Sequence, residues 1–172
     1  MFGLYIHIPY CRSKCRYCDF YSTPCPDGVP EAYIDALCRE MDRFSPCGST
    51  PLRPDTLYFG GGTPSLLTPA QAARLIRAAG PAPTFRWDDI AWVCDQLRAA
   101  GPVPDAEITL EANPETVTPE RLAAFRRAGV NRLSLGIQTA RDDSLARLGR
   151  RHTAAQSRRA LGMAVQAGFT DI

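Results

Sequence analysis

No run of apolar residues in this 172-residue chain approaches the length needed to cross a bilayer, so the sequence offers no transmembrane segment. Strong charge of either sign is also missing. With 20 basic and 18 acidic residues the net charge is +2, and nothing here pulls the chain toward nucleic acid or an anionic surface. Lysine is nearly absent: Lys14 stands alone and every other cation is arginine. Arginine favours bidentate binding of carboxylate and phosphate, but beside so many alanines the pattern points to coding bias. The N-terminus lacks the basic segment of a signal peptide and reads as a strand. An even cysteine count is lacking too. Seven cysteines, with Cys25, Cys38, Cys47 and Cys94 scattered, do not make a disulfide framework, and a reducing cytoplasm is expected. The remainder is ordinary: 45% hydrophobic and 22% charged residues suit one globular domain with a real core.

The most informative absence is a fourth cysteine beside Cys11, Cys15 and Cys18. Four thiolates would close a tetrahedral metal site or fully ligate an iron–sulfur cube. Three on one short loop leave one iron of a [4Fe–4S] cluster without a protein ligand, and an open coordination position is a place for chemistry. Two other readings stand beside this one: a zinc site completed by Cys25 or His7, and three unrelated buried thiols.

Strand and helix signals alternate along the chain. Strands are predicted at Gly3–Ile8, Thr56–Phe59, Glu107–Ala112 and Asn131–Ile137. Helices are predicted at Pro30–Phe44, from the Thr68 cap to Gly80, and at Thr118–Ala128. Further helix runs from Asp142 to Ala167 with a break near Gly149. Recurrent Ala-Gly endings, including Ala79-Gly80, Ala128-Gly129 and Ala167-Gly168, match left-handed glycines past helix ends. Residues 81–105, rich in proline and holding Trp87, Trp92 and a short helix Asp88–Ala100, read as an inserted surface connection. Four βα units in series imply an α/β fold with parallel strands, either doubly wound or part of a barrel. A fifth strand begins at Thr170-Asp171-Ile172, where the sequence stops, so the chain reads as truncated.

In such folds reactive groups gather at the carboxyl ends of strands. The three cysteines follow the first strand, and Gly60-Gly61-Gly62-Thr63 follow the second. Glu111-Ala112-Asn113 end the third, and Gly136-Ile137-Gln138 the fourth. The glycines serve either a tight turn or close backbone approach to a ligand. Glu111, after apolar Ile108-Thr109-Leu110, must be solvated or paired. Gln138, Arg150, His7 and His152 carry no decisive signal by themselves.

The spacing of Cys11, Cys15 and Cys18, with Tyr17 before the last, resembles the radical S-adenosylmethionine signature. Tyr5-Ile6-His7-Ile8-Pro9-Tyr10-Cys11, Tyr58-Phe59-Gly60-Gly61-Gly62-Thr63-Pro64-Ser65 and Leu110-Glu111-Ala112-Asn113-Pro114 resemble blocks of the oxygen-independent coproporphyrinogen III oxidase family. So do Leu135-Gly136-Ile137-Gln138 and Arg147-Leu148-Gly149-Arg150-Arg151-His152. The resemblance implies the N-terminal four βα units of a partial (β/α)6 barrel over residues 1–172, incomplete at its C-terminus. It implies a [4Fe–4S] cluster on the three cysteines whose open iron is chelated by S-adenosylmethionine, with the cluster's electron cleaving that cofactor. Tyr5, Tyr17, Gly61, Gly62, Thr63 and Glu111 would contact the cofactor, and Gln138 and Arg150 match positions that hold a second molecule of it in the oxidase. An electron donor such as a flavodoxin or ferredoxin is implied as a partner.

The oxidase carries a further cysteine two residues after the third ligand; here Phe20 stands in Cys18-Asp19-Phe20-Tyr21-Ser22. That run resembles the haem chaperone branch, whose members keep the cluster and cofactor motifs, lack the oxidase activity, and bind haem or porphyrin to pass haem to an acceptor protein. Haem handling is therefore expected, with coproporphyrinogen III oxidation as the alternative and a zinc-binding module as a remote one. No catalytic side chain is assigned.

Overall fold

A computed structural model describes residues 3–44, 54–80 and 106–172. Strand β1 (Gly3–Ile8) is followed by two short strands, β2 (Tyr10–Cys11) and β3 (Thr23–Pro24), then helix α1 (Glu31–Phe44). Next come β4 (Thr56–Gly61), α2 (Pro69–Ala79), β5 (Glu107–Ala112), α3 (Pro119–Arg127), β6 (Arg132–Leu135), α4 (Asp142–Arg147) and α5 (Ala154–Gln166). The inserted connection expected at 81–105, with its helix Asp88–Ala100, lies outside the described residues.

The main sheet is parallel throughout in the order β1-β4-β5-β6. Among the described strands the order never reverses, as it would at the switch point of a doubly wound sheet, and the sheet is an arc of a βα barrel. Its two faces differ. Leu4, Ile6, Ile8, Leu57, Phe59, Ile108, Leu110 and Leu133 alternate onto the helix side and join Ile34 of α1, Leu75 of α2, Phe125 of α3 and Ala160 of α5 in one core. Each fully buried leucine, isoleucine or phenylalanine among them stabilises the fold by about 1.5–3 kcal/mol relative to exposure. Between them, Tyr5, His7, Tyr58, Glu111, Arg132 and Ser134 point to the opposite, polar side, where Thr109 is fully shielded.

The cap that the sequence predicts at Thr68 forms, and a second of the same kind starts α5. Thr68 accepts from Gln71 N–H while the Gln71 side chain reaches back to the Thr68 N–H, and Thr153 with Gln156 repeats the device. Gly129 and Gly168 have φ of 109° and 86°, as expected past helix ends. Gly80 differs: its φ of −92° and ψ of −177° are extended, because the residue before a proline is pushed out of helical space. Strand β4 runs two residues beyond the predicted Phe59. Strand β6 is shorter than predicted, because two successive i→i+2 bonds, Ile137 N–H to Leu135 O and Thr139 N–H to Ile137 O, turn the chain away. The Arg132–Asp171 bridge shows the chain's last residues running parallel beside β6. Among the described residues no helix is long and apolar enough to cross a membrane.

Candidate functional site

Parallel strands present all their carboxyl ends on one edge, and there a cleft of about 350 Å³ opens, within the range of small-molecule sites. The cysteine loop forms one wall. It leaves β1 at Pro9 and is pinned at its neck by Thr23 N–H to Pro9 O (2.7 Å), Cys25 N–H to Cys11 O (2.6 Å) and the β2–β3 pairing. Further out, Lys14 Nζ donates to Phe20 O at 3.0 Å, and His7 Nε2 lies 2.9 Å from Tyr21 O. A carbonyl can only accept, so His7 carries its proton on Nε2 there, and Nδ1 faces the Tyr5 hydroxyl at 3.1 Å.

Cys11, Cys15, Cys18, Cys25 and Cys38 are free thiols. Cys11 is buried and the next two are half-buried, and all three line the cleft. Cys25 does not line it; its Sγ turns to Gly28 O at 3.0 Å. The two candidates for completing a zinc site, Cys25 and His7, are thus engaged with backbone carbonyls.

The glycine run serves close approach. A Cβ at Gly60 would stand 2.8 Å from the Tyr5 ring, and one at Gly62 would stand 2.6 Å from Tyr10 O. Gly61, at φ 110°, packs against His7. The Gly62 and Thr63 N–H groups donate to Ile8 O and Tyr10 O, both at 2.8 Å. They tie β4 to the cysteine loop and are not left facing a ligand.

A polar network then links the strand ends. Buried Thr63 donates through Oγ1 to Cys11 Sγ (3.4 Å) and accepts from Asn113 Nδ2 (3.1 Å). Arg150 Nη2 donates to Asn113 Oδ1 and to Gly136 O, while Nη1 reaches Cys15 Sγ (3.6 Å) and Tyr17 Oη (3.3 Å). Arg150 Nε is buried without a partner among the described residues. The sequence places Arg150 in the site and Asn113 at the end of the third strand without giving Asn113 a role; in the structure Asn113 connects the β4 and β5 ends to Arg150. Its position, first after an apolar parallel strand and before a proline, was the available signal.

Glu111 accepts from the Tyr58 hydroxyl at 2.8 Å, and Tyr58 stacks on Tyr5 with centroids 6.0 Å apart. Burial, then the hydrogen bond to Glu111, raises the pKa of Tyr58; burial and the Glu111 charge raise that of Tyr5. Of the residues singled out from sequence, the cysteines, Tyr17, Gly61, Gly62, Thr63, Glu111, Gln138 and Arg150 line the cleft. Tyr5 does not; it is 55% exposed on the polar face of the sheet and meets Glu111 through Tyr58.

The donor set suits a thiolate-ligated cluster with a zwitterionic cofactor beside it. Three free thiols line one space, Thr63 and Arg150 donate toward two of the sulfurs, and the Glu111 carboxylate and the Arg150 guanidinium on its walls carry opposite charges. Among the described residues no three His, Cys, Asp or Glu side chains converge to hold a single metal ion.

The family profile described as the Radical SAM superfamily matches residues 5–172. The chain is 40% identical over 169 residues to heme chaperone HemW of Escherichia coli K12, covering 97% of this chain and 40% of that protein. It is 37% identical to heme chaperone HemW of Mycobacterium tuberculosis, covering 99% of this chain and 40% of the relative. It is 39% identical to the mitochondrial radical S-adenosyl methionine domain-containing protein 1 of Bos taurus, covering 88% and 30%. In fold it is similar to the coproporphyrinogen III oxidase HemN from Escherichia coli, a radical SAM enzyme. The TM-score is 0.76 at 28% identity, over 98% of this chain and 35% of that one. The chain therefore spans about 40% of the length of the haem chaperones it matches.

Proposed function

Because the chain belongs to the radical SAM superfamily, we propose that its cleft holds a [4Fe–4S] cluster on Cys11, Cys15 and Cys18 with S-adenosylmethionine beside it, and that the protein it represents binds haem and delivers it to an acceptor. The family implies the cluster and the cofactor; haem, the acceptor and a small electron-transfer donor belong to this proposal. The observation that carries the reading is the meeting of the three-thiol loop with the ends of β4, β5 and β6 around one cleft.

When bound, the pair supplies one-electron reductive cleavage of S-adenosylmethionine. This chain's residues do the holding. The three cysteines would take three irons and leave the fourth for the cofactor. Glu111 would accept from its amino or hydroxyl groups, and Arg150 and Gln138, at positions that hold a second molecule of it in the oxidase, would meet S-adenosylmethionine polar groups from the opposite wall. Tyr17 would pack against it, while Gly61, Gly62 and Thr63 keep the floor thin and the cysteine loop attached. Tyr5 would act through Tyr58 and Glu111. Residues 1–172 form the core domain in this reading, 81–105 being an inserted connection. A reducing cytoplasm suits the free thiols.

Haem delivery is favoured over porphyrinogen oxidation by similarity to haem chaperones along 97% to 99% of the chain. Position 20 agrees, since Phe20, 66% exposed at the cleft mouth, stands where the oxidase has cysteine. Anaerobic reconstitution with iron and sulfide should give a brown protein that dithionite bleaches and that retains added haem through gel filtration. Equal cluster content after replacing Cys11, Cys15 and Cys18 together by alanine would overturn the cluster assignment. Zinc retained without sulfide would favour the metal-ion alternative. Conversion of coproporphyrinogen III by the full-length protein would favour the oxidase.

A further inference from the structure

His152 lies in the loop between α4 and α5, yet its side chain is 0% exposed. Its Nδ1 stands 3.1 Å from Glu115 Oε2, and its Nε2 stands 3.3 Å from Ile137 O. A carbonyl only accepts, so Nε2 is the donor in that contact.

The Ile137 carbonyl is also the acceptor for Thr139 N–H at 2.8 Å. That bond closes a three-residue turn around Gln138, whose φ of 65° is the one positive value on a non-glycine residue among those described. A glutamine held in this region costs free energy and persists only where its surroundings over-determine it. Here two side chains from one short segment do so. Arg150 Nη2 donates to Gly136 O at 2.7 Å and His152 to Ile137 O, so residues two apart hold successive carbonyls. Glu115, from the loop after β5, meets the far side of the ring and lines the cleft itself. The turn that presents Gln138 to the cleft is thereby tied to the loop that follows Asn113.

We propose that His152, held by Glu115, is a positioning residue that fixes the Gln138 turn and so sets the affinity of the cleft for S-adenosylmethionine. The inference rests on the reading above that Gln138 reaches that cofactor. His152 touches no ligand in this scheme; it acts through the Ile137 carbonyl.

The test is a double-mutant cycle read by calorimetric titration of S-adenosylmethionine into the oxidised, cluster-loaded, full-length protein. His152→Asn removes the donor at Nε2 and should weaken binding about tenfold, the lower end of what outer-shell partners of a bound group contribute. His152→Gln places an amide donor where Nε2 was and should recover most of that loss. In a Gln138→Ala background, His152→Asn should add little, because the residue it positions is already gone. Full additivity of the two losses, or equal loss in His152→Gln and His152→Asn, would overturn the positioning role while leaving Gln138 as a contact. No loss from Gln138→Ala alone would instead overturn the reading of Gln138, and this inference with it. If His152→Asn fails to load cluster, Glu115→Gln carries the same cycle.

Discussion

Adjacent residues of the same strands do opposite work. In β4, Leu57 and Phe59 are 1% and 0% exposed in the core with Ile34 and Leu75, while Tyr58 between them and Gly60 after them face the polar side beside Tyr5. In β5, Leu110 packs inward and Glu111 turns to Tyr58. The helix-facing side asks only for apolar volume, and many combinations of aliphatic residues would fill it. The polar side and the strand ends ask for particular atoms: a hydroxyl between a sulfur and an amide, a carboxylate under a phenol, a strand without a Cβ. Stability and site are thus carried by different residues of shared strands, and they should fail separately.

The largest expected effect tests the first half of that contrast. Phe59→Ala should cost about 3–5 kcal/mol, a large part of the 5–15 kcal/mol that a domain of this kind possesses. Urea denaturation of the full-length protein measures it, and cluster content per folded molecule should stay level. A folded variant of near-native stability that loses cluster would break the contrast, because a core residue would then be shaping the site directly.

The same contrast explains what could be read from the sequence. Period-two apolar alternation, proline and glycine punctuation and the Thr68 cap are local signals, so strand and helix order were legible and the series of βα units followed. Three cysteines in eight residues, an acid ending an apolar strand and the family-like blocks placed the cleft. The polar network was not legible. Asn113 matters because Thr63, fifty positions earlier, and Arg150, thirty-seven later, are brought to its two side-chain atoms, and such pairings exist only once strands are in register. His152 was hidden for the same reason: burial of a loop histidine is a consequence of packing. Gly62 was ambiguous because a tight turn and a close neighbour both demand glycine, and only the 2.6 Å approach of Tyr10 O decides for the neighbour.

A smaller effect tests the second half. Thr63→Val keeps the volume but removes the hydroxyl between Cys11 Sγ and Asn113 Nδ2. Leaving the Asn113 donor without that partner should cost about 1–3 kcal/mol. With Cys11 holding the cluster as proposed above, the midpoint potential should move negative, since a hydrogen bond to a ligating sulfur favours the reduced, more negatively charged state. Spectroelectrochemical titration reads the potential, and an unchanged value in a folded protein would show that Thr63 serves packing alone.

The smallest effect lies in the aromatic lining of the polar face. Burial, followed by the hydrogen bond to Glu111, lifts the Tyr58 hydroxyl above its ordinary pKa of 10.0, and Tyr5 beside it is lifted by burial and the Glu111 charge. Below pH 10.0 both folded and unfolded chains keep these protons, and the contribution to stability is fully present. As pH rises further the unfolded chain releases them first, so stability should fall through the alkaline range toward the raised folded-state values. Tyr58→Phe removes one of these protons from the balance and should make the alkaline decline shallower. At neutral pH it should change stability by only about 1 kcal/mol, the size of one hydrogen bond. Denaturation midpoints compared from about pH 8 to about pH 11 measure the difference. A decline of identical slope in parent and variant would mean that the Tyr58–Glu111 bond does not couple folding to the proton. The polar face would then contribute geometry to the site without contributing to the pH dependence of the fold.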